Sequence, residues 1–592
     1  MFRVVLCASA MAASPPRARW RTAEYALYVS LVAAGAAWLL VRGVQVGAAL
    51  AAPAGGGAPR LRGLKPAWLP FARRRDGSDA QWGEMRASLG AICALVAAHA
   101  ALGRLAAAVA PRGGSRRAAR TLVRLTLSLG VLGYLHGARA AYPLLLALAG
   151  YVAATALAPP REAQAAQGAQ AARARKAVAM GVLWALHLAA MLHAYTRRGY
   201  AAPPALEALF EYAGLGAFVG GVRDWHGTCY NFQVLRMISF AMDSWAAARG
   251  ERPRAGRHAA GAFSALVEEP LPLGGSDVGA YGISGAYGLL AYLEYIFYVP
   301  LYLAGPIVTF NAFGAQRAAA EGRAATRPLA VARYAARWLL LLLCLEAFTH
   351  YLPFNAIATS RGGWDRARVA AGAAPAAALC GFWVLNFMWL KFAVIWRLFR
   401  LGALLDGVEA PENMLRWVND NHDIEGFWKG WHASYNRWLV RYLYIPLGGA
   451  KWRLLNVWPI FLFVALWHDL EMRLLSWAGA MALFAAPEFI AKALTRRYLS
   501  PVARETLAFR LVRGAAAACY IVVLMAGNLA GFVIGPTSAL NAMRDAFWRR
   551  EGLAFGAASL CWFFALAQIQ FEVRAGEARA KDSRAADTMK LV

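Results

Sequence analysis

The feature that most constrains this chain is a succession of apolar runs, most of them 17 residues or longer, separated by short basic loops. Crossing a hydrocarbon core of about 30 Å takes roughly 20 residues of α-helix. Runs near 25–42, 87–110, 121–137, 141–157, 176–195, 205–221, 283–304, 334–352, 372–400, 454–468, 473–492, 512–534 and 553–570 approach or meet that length. Lipid offers no hydrogen bonds, so a spanning segment must be a helix or part of a closed barrel. The runs are continuous and lack two-residue alternation, which excludes the barrel. The sequence therefore predicts an all-α polytopic membrane protein with 11 to 13 membrane-embedded helices. The 205–221 run, Gly-rich and interrupted by Glu211, is a candidate re-entrant segment.

Composition agrees. Hydrophobic residues make up 59% of the chain and charged residues 16%, against about 25% charged in a soluble domain. That much apolar surface cannot be hidden in a soluble fold. The net charge of +30 comes from 63 Lys and Arg against 33 Asp and Glu, and only eight of the 63 are Lys. Their placement in loops beside apolar runs suits lipid head groups, so nucleic acid is not an expected partner. Arg-rich loops at 60–75, 112–124 and 161–176 fall on both sides of successive spans and assign no orientation.

Between the runs, 159–175, much of 246–280 and 313–330 read as low-complexity linkers, and 52–86 reads as an interfacial segment rich in Gly, Arg, Trp and Pro. The first 23 residues carry several Arg and no acid, which leaves transit peptide, signal anchor and plain leader open. The expected division is a leader at 1–23, one membrane domain at 24–572 and a polar tail at 573–592. No internal repeat occurs of the kind common in secondary transporters. Seven scattered cysteines without a CxxC pair indicate neither a disulfide framework nor a metal site.

Residues 413–453 break the hydropathy pattern, being rich in Trp and Tyr and carrying both charge signs. At helical spacing Trp428, His432, Tyr435, Asn436 and Leu439 share one face, while Lys429, Arg437 and Arg441 project elsewhere. Pro446 and Gly448-Gly449 end the helix. Two histidines stand out as candidates for chemistry. His468 closes the apolar run WPIFLFVALWH, between Trp467 and Asp469, and a polar group in a membrane span defaults to a functional hypothesis. The alternative is an interfacial histidine bonded to Asp469 or to a carbonyl. His432 follows Trp431 and has Asn436 at i+4, a residue able to fix its tautomer. His422, Asp423 and Glu425 add ligand types, but no metal-binding spacing such as HExxH occurs, so no metal is expected. In YNFQVLRMISFAMDSWA, Arg236 and Asp243 lie two helical turns apart, either as a structural polar seam or as a lining for an anionic group.

Taken together, these stretches resemble the membrane-bound O-acyltransferase superfamily, in particular its glycerol-uptake-protein and Hedgehog-acyltransferase-like branch. FWKGWHASYNRWLVRYLYIPLGG resembles one family motif and ALWHDLEMRLLSW the one carrying its histidine. YNFQVLRMISFAMDSWA, EYIFYVPLYLAGPIVTFNAF and RRRDGSDAQWGEMR resemble further blocks, and the likeness covers roughly residues 65–570. The resemblance implies a helix bundle around a transmembrane tunnel, with His468 as general base and His432 as orienter or oxyanion donor. Asn436, Trp431, Trp467 and Asp469 would support them, and Arg236, Lys391 and Arg437 are candidates for the acyl donor's phosphates. It further implies transfer of a fatty acyl group from long-chain acyl-CoA, a substrate rather than a bound cofactor, to a hydroxyl of a lipid or lipid-anchored acceptor. GPI-anchor remodelling in the endoplasmic reticulum would be one setting. A proton-coupled glycerol transporter and a catalytically silent regulator are the alternatives.

Overall fold

A computed structural model describes the chain except residues 1–18, 53–60, 73, 112–113, 159–168, 197–200, 202, 224–227, 249–285, 320–327, 361–362 and 591–592. Most of the predicted leader and much of the three predicted linkers thus lie outside the described residues. In chain order the helices are α1 Ala23–Ala51, α2 Ala80–Ala87, α3 Leu89–Val109, α4 Gly114–His136, α5 Ala141–Ala156, α6 Ala169–Thr196, α7 Pro204–Tyr212, α8 Thr228–Ala248, α9 Leu289–Ile296, α10 Val299–Tyr302 and α11 Phe310–Ala319. They continue as α12 Pro328–Tyr351, α13 Phe354–Thr359, α14 Gly363–Ala371, α15 Ala373–Leu405, α16 Ile424–Gly430, α17 Ala433–Leu439, α18 Arg453–His468, α19 Met472–Tyr498, α20 Leu507–Phe532, α21 Gly535–Phe547 and α22 Arg550–Lys590. A two-stranded antiparallel hairpin, Leu64–Pro66 with Arg74–Asp76, lies within the predicted interfacial segment and exposes Trp68 and Phe71.

Ten helical stretches among the described residues are long and apolar enough to cross a membrane. The fold is all-α and polytopic, as the apolar runs predict, and the expected segments that do not span have local causes. The 205–221 run forms only the nine-residue α7 and a single 3-10 turn. The 283–304 run breaks into α9 and α10, because Pro300 has no N–H to continue the first helix. The runs at 121–137 and 141–157 lie in one stretch, Ala118–Ala156, joined by a 3-10 turn at Gly137–Ala140. The boundary expected at 573 falls inside α22, and Arg574 and Glu577 of that helix ion-pair with Asp420 and Arg416 in the loop before α16.

α15 is the most enclosed span and packs against α3, α12, α14, α20, α21 and α22. Asp406, which caps its C-terminus, anchors a buried polar cluster. Arg124 of α4 donates to Asp406 at 2.7 Å and to Glu294 of α9 at 3.3 Å, Tyr298 donates to Asp406 at 2.7 Å, and Arg317 also pairs with Glu294. Two acids and two arginines thereby tie four elements together where water is excluded. Removing one member of a buried ion pair typically costs about 3–5 kcal/mol because its partner is left uncompensated, whereas an exposed pair is worth about 1 kcal/mol or less. Arg124→Ala should therefore lower the unfolding free energy of the detergent-solubilised protein by several-fold more than Arg473→Ala, which breaks the exposed pair with Glu471. Equal shifts in thermal unfolding would show that the cluster does not hold these helices.

Candidate active site

The 413–453 region does not form the single helix that its periodicity predicts. α16 stops at Gly430, Trp431 is extended, and His432 takes a left-handed conformation with φ 45° and ψ 47° before α17 begins. A non-Gly residue in that region carries strain of order 1–3 kcal/mol and needs surroundings that impose it. Buried Asn413 does so. Its carbonyl accepts from Ala433 N at 3.0 Å, and its side-chain oxygen accepts from Ser434 N at 3.2 Å and from Ser434 Oγ. Ser434 Oγ in turn accepts from Ile307 N at 2.8 Å. Competing acceptors thus capture the backbone donors that would have continued α16. The break also overturns the expected role of Asn436. Its side chain neither reaches His432 nor lines the cavity described below, and only its backbone N–H bonds to the His432 carbonyl.

The break turns His432 onto Trp396 of α15, with ring centroids 4.3 Å apart and planes 19° from parallel. Trp431 packs edge-on to Trp396 and Phe392 and stacks on Phe427. α16 is fixed by Lys492 of α19, which bonds Asp423 at 2.6 Å, Glu425 at 3.0 Å and Glu488 at 2.6 Å. Burial opposes ionisation of Glu425, but Lys492, Lys429 and Arg453 overcome it and hold its pKa down to about 2.

His468 ends α18, where the last carbonyls of a helix lack intrahelical donors. The Trp467 carbonyl is taken up by Asn231 Nδ2 of α8 at 2.5 Å and Tyr195 OH of α6 at 3.1 Å, while Trp467 Nε1 donates to the Asn231 carbonyl at 3.0 Å. This reciprocal lock fixes the residue before His468, and isolated sequence gives no signal for it because its members are 36 to 272 positions apart. Asp469 does not bond His468. Its carboxylate accepts from Leu470 N and caps its own turn.

Both histidines open into one cavity of about 1060 Å³. Both contact the Trp467 ring, whose centroid lies 5.9 Å from that of His432 and 5.0 Å from that of His468. The wall is chiefly aromatic and aliphatic, and includes Trp396, Trp428, Trp431, Trp467, Phe532 and Trp562. The three basic candidates fare differently. Lys391 lines the cavity and pairs with Asp79 at 2.7 Å. Arg236 does not line it, because its guanidinium donates to the carbonyls of Tyr295, Ile296 and Leu301 at 2.5–3.2 Å. Arg437 is also off the wall and bonds the Ala433 carbonyl. Asp243 accepts from Asn311 N, Arg441 and Tyr442. Arg236 and Asp243 are thus a structural seam. Among the described residues no group of His, Cys, Asp and Glu is arranged to hold a metal ion.

An expected outcome follows from the Asn413 clamp. Asn413→Ala leaves the buried Ser434 N–H without an acceptor, which typically costs about 1–3 kcal/mol. Thermal unfolding should register that loss, and an unchanged midpoint would remove Asn413 as the cause of the His432 turn.

Residues 280–525 match the model of the MBOAT family, the membrane-bound O-acyltransferase family. The chain is 31% identical to "Membrane-bound O-acyltransferase gup1" of Schizosaccharomyces pombe over 525 residues, 87% of this chain and 82% of that protein. It is 35% identical to "Membrane-bound O-acyltransferase GUP1" of Saccharomyces cerevisiae over 59% of this chain and 60% of that one. Similarity extends to "Protein-cysteine N-palmitoyltransferase HHAT" of Mus musculus, at 28% identity over 44% of this chain and 52% of the relative. With a relative matched over most of both chains, the chain belongs to the membrane-bound O-acyltransferase family.

Proposed function

We propose that this protein moves a fatty acyl group from acyl-CoA to a hydroxyl of a membrane lipid or lipid-anchored acceptor, a GPI-type anchor among them, in the endoplasmic reticulum. The observation that carries this reading is the opening of His432 and His468 onto one largely apolar cavity. An acyl chain gains about 0.8 kcal/mol for each methylene it buries against such walls. The same walls exclude water, which would otherwise hydrolyse the thioester.

The chemistry needs little more than these two side chains. His468 as neutral imidazole takes the proton of the acceptor hydroxyl while that oxygen attacks the thioester carbonyl carbon. The tetrahedral intermediate collapses with cleavage of the carbon–sulfur bond, and the imidazolium returns its proton to the departing thiolate, giving ester and free thiol. His432, held against Trp396 on its strained turn, orients the carbonyl or donates to its developing oxyanion, where a low dielectric strengthens each dipole. Asn231 and Tyr195 fix the carbonyl of Trp467 and with it the end of α18 that carries His468.

A placed base contributes about 10²–10⁴-fold. Acyl transfer from radiolabelled acyl-CoA, measured with the full chain in liposomes, should fall by that factor in His468→Ala with little change in donor affinity. His432→Asn should keep measurable activity because the amide still donates, and His432→Ala should lose more. The double variant should be little worse than His468→Ala, since groups acting as one unit are not additive. Full activity in a His468→Ala protein that unfolds at the normal temperature would overturn the mechanism.

A further inference from the structure

The cavity wall carries only three charged side chains among the described residues: Lys391, Glu84 and Arg223. Lys391 is already neutralised by Asp79. The other two, from α2 and from the segment after α7, are 43% and 67% exposed for Arg223 and Glu84 respectively and meet at 3.4 Å. Exposed Tyr134 and Val222 also line the wall, and Val222 and Arg223 both bond to the carbonyl of Leu135, next to Tyr134, so these four residues form one exposed edge of the cavity.

Both charges project from rigid supports. Asp79 caps α2 by accepting from Trp82 N at 2.7 Å, and Arg86 of the same helix grips Glu346 through two hydrogen bonds. On the other side, Val222 N and Arg223 N both donate to the Leu135 carbonyl, and the Arg223 carbonyl pairs with His136 Nδ1 at 2.8 Å. That docking needs two glycines. A Cβ on Gly137 would lie 2.0 Å from the Phe218 carbonyl oxygen, and one on Gly221 would lie 2.4 Å from the His136 carbonyl carbon. The backbone of residue 223 is thereby fixed, and its guanidinium meets the Glu84 carboxylate. Just upstream, Leu209, Tyr212, Leu215, Phe218 and Val222 expose apolar surface, as a segment lying among lipid head groups does.

Charge decides what this opening suits. The chain carries +30 overall, and a portal for a polyanion would be ringed by unpaired Arg and Lys. Here, among the described residues, one acid faces one base beside the exposed apolar stretch 209–222. The geometry points to a binding site for a zwitterionic, phosphate-plus-ammonium lipid head group at this mouth, with Arg223 on the phosphate and Glu84 on the ammonium in exchange for their mutual pair. Gln81 and Ser88, on the same wall, supply neutral hydrogen-bonding groups for further head-group oxygens. The inference rests on the proposed transfer reaction only for what then happens to the lipid; the binding itself does not depend on it.

The test is photo-crosslinking with the full chain in phosphatidylglycerol nanodiscs, using photoreactive phosphatidylethanolamine, phosphatidylglycerol and diacylglycerol probes and locating adducts by mass spectrometry. Phosphatidylethanolamine should label residues near the mouth most strongly. Glu84→Gln should lower that labelling about fivefold and leave phosphatidylglycerol unchanged, whereas Arg223→Gln should lower both by about that factor. Diacylglycerol labelling should respond to neither. Two results would overturn the assignment: equal labelling by all three probes, or phosphatidylethanolamine labelling that Glu84→Gln leaves unchanged. Soluble phosphoethanolamine should compete only weakly because it lacks the acyl chains, and competition as strong as that by phosphatidylethanolamine would overturn the lipid-borne source. Because the readout is binding, a wild-type protein that labels as expected yet transfers no acyl group fails the proposed function and keeps the head-group site.

Discussion

Backbone groups freed where a helix breaks inside a membrane must find partners within the protein, and in this molecule one buried helix supplies most of them. Along α8, Arg236 gathers three carbonyls left open where α9 and α10 part. Ser239 and Asp243 accept the first N–H groups of α11, from Phe310 and Asn311. At its other end Asn231 closes α18 through the Trp467 carbonyl. The helix carries Arg, Asp, Asn, Gln and Ser on buried positions, and most of these groups are used to end another helix. Without them the broken segment 289–319 would carry unpaired polar groups at a cost of several kcal/mol each.

The site inherits its precision from this arrangement. His432 and His468 come from elements that are both interrupted at the histidine, one by a left-handed turn and the other by a helix end. An interruption presents a side chain to a cavity that a continuous helix would fill, but it leaves backbone groups open. Asn413 and Ser434 close the first interruption, and Asn231 with Tyr195 closes the second. The cavity between them then extends to an opening whose two charges balance, in a chain whose surface is strongly basic.

How far the site could be read in advance depended on whether a residue acts through its own type or through its position. His468 and His432 were legible because a histidine at the end of an apolar run or within an aromatic block is anomalous by itself, and both reach the cavity. Trp431 and Trp467 also line it. Arg236 and Arg437 were anomalous in the same way, yet their charges serve carbonyls rather than the cavity. Helical spacing alone points to Asn436, and spacing fails where a neighbour takes the backbone donors that would continue the helix. Asn231, Asn413 and Glu84 carry no signal in the sequence, since each is an ordinary polar residue until a distant partner is known.

What the sequence determined by itself is the class of the molecule: repeated apolar runs leave no stable alternative to a helical bundle in lipid, because burial and backbone hydrogen bonding are both satisfied within each run. Motif blocks in a fixed order also tied it to the acyltransferase family. Tertiary structure alone decided where helices stop, which polar residues cap them, and which of the many basic side chains face the cavity. Those outcomes depend on contacts between residues tens to hundreds of positions apart, where competing donors and acceptors, not local periodicity, choose the partner.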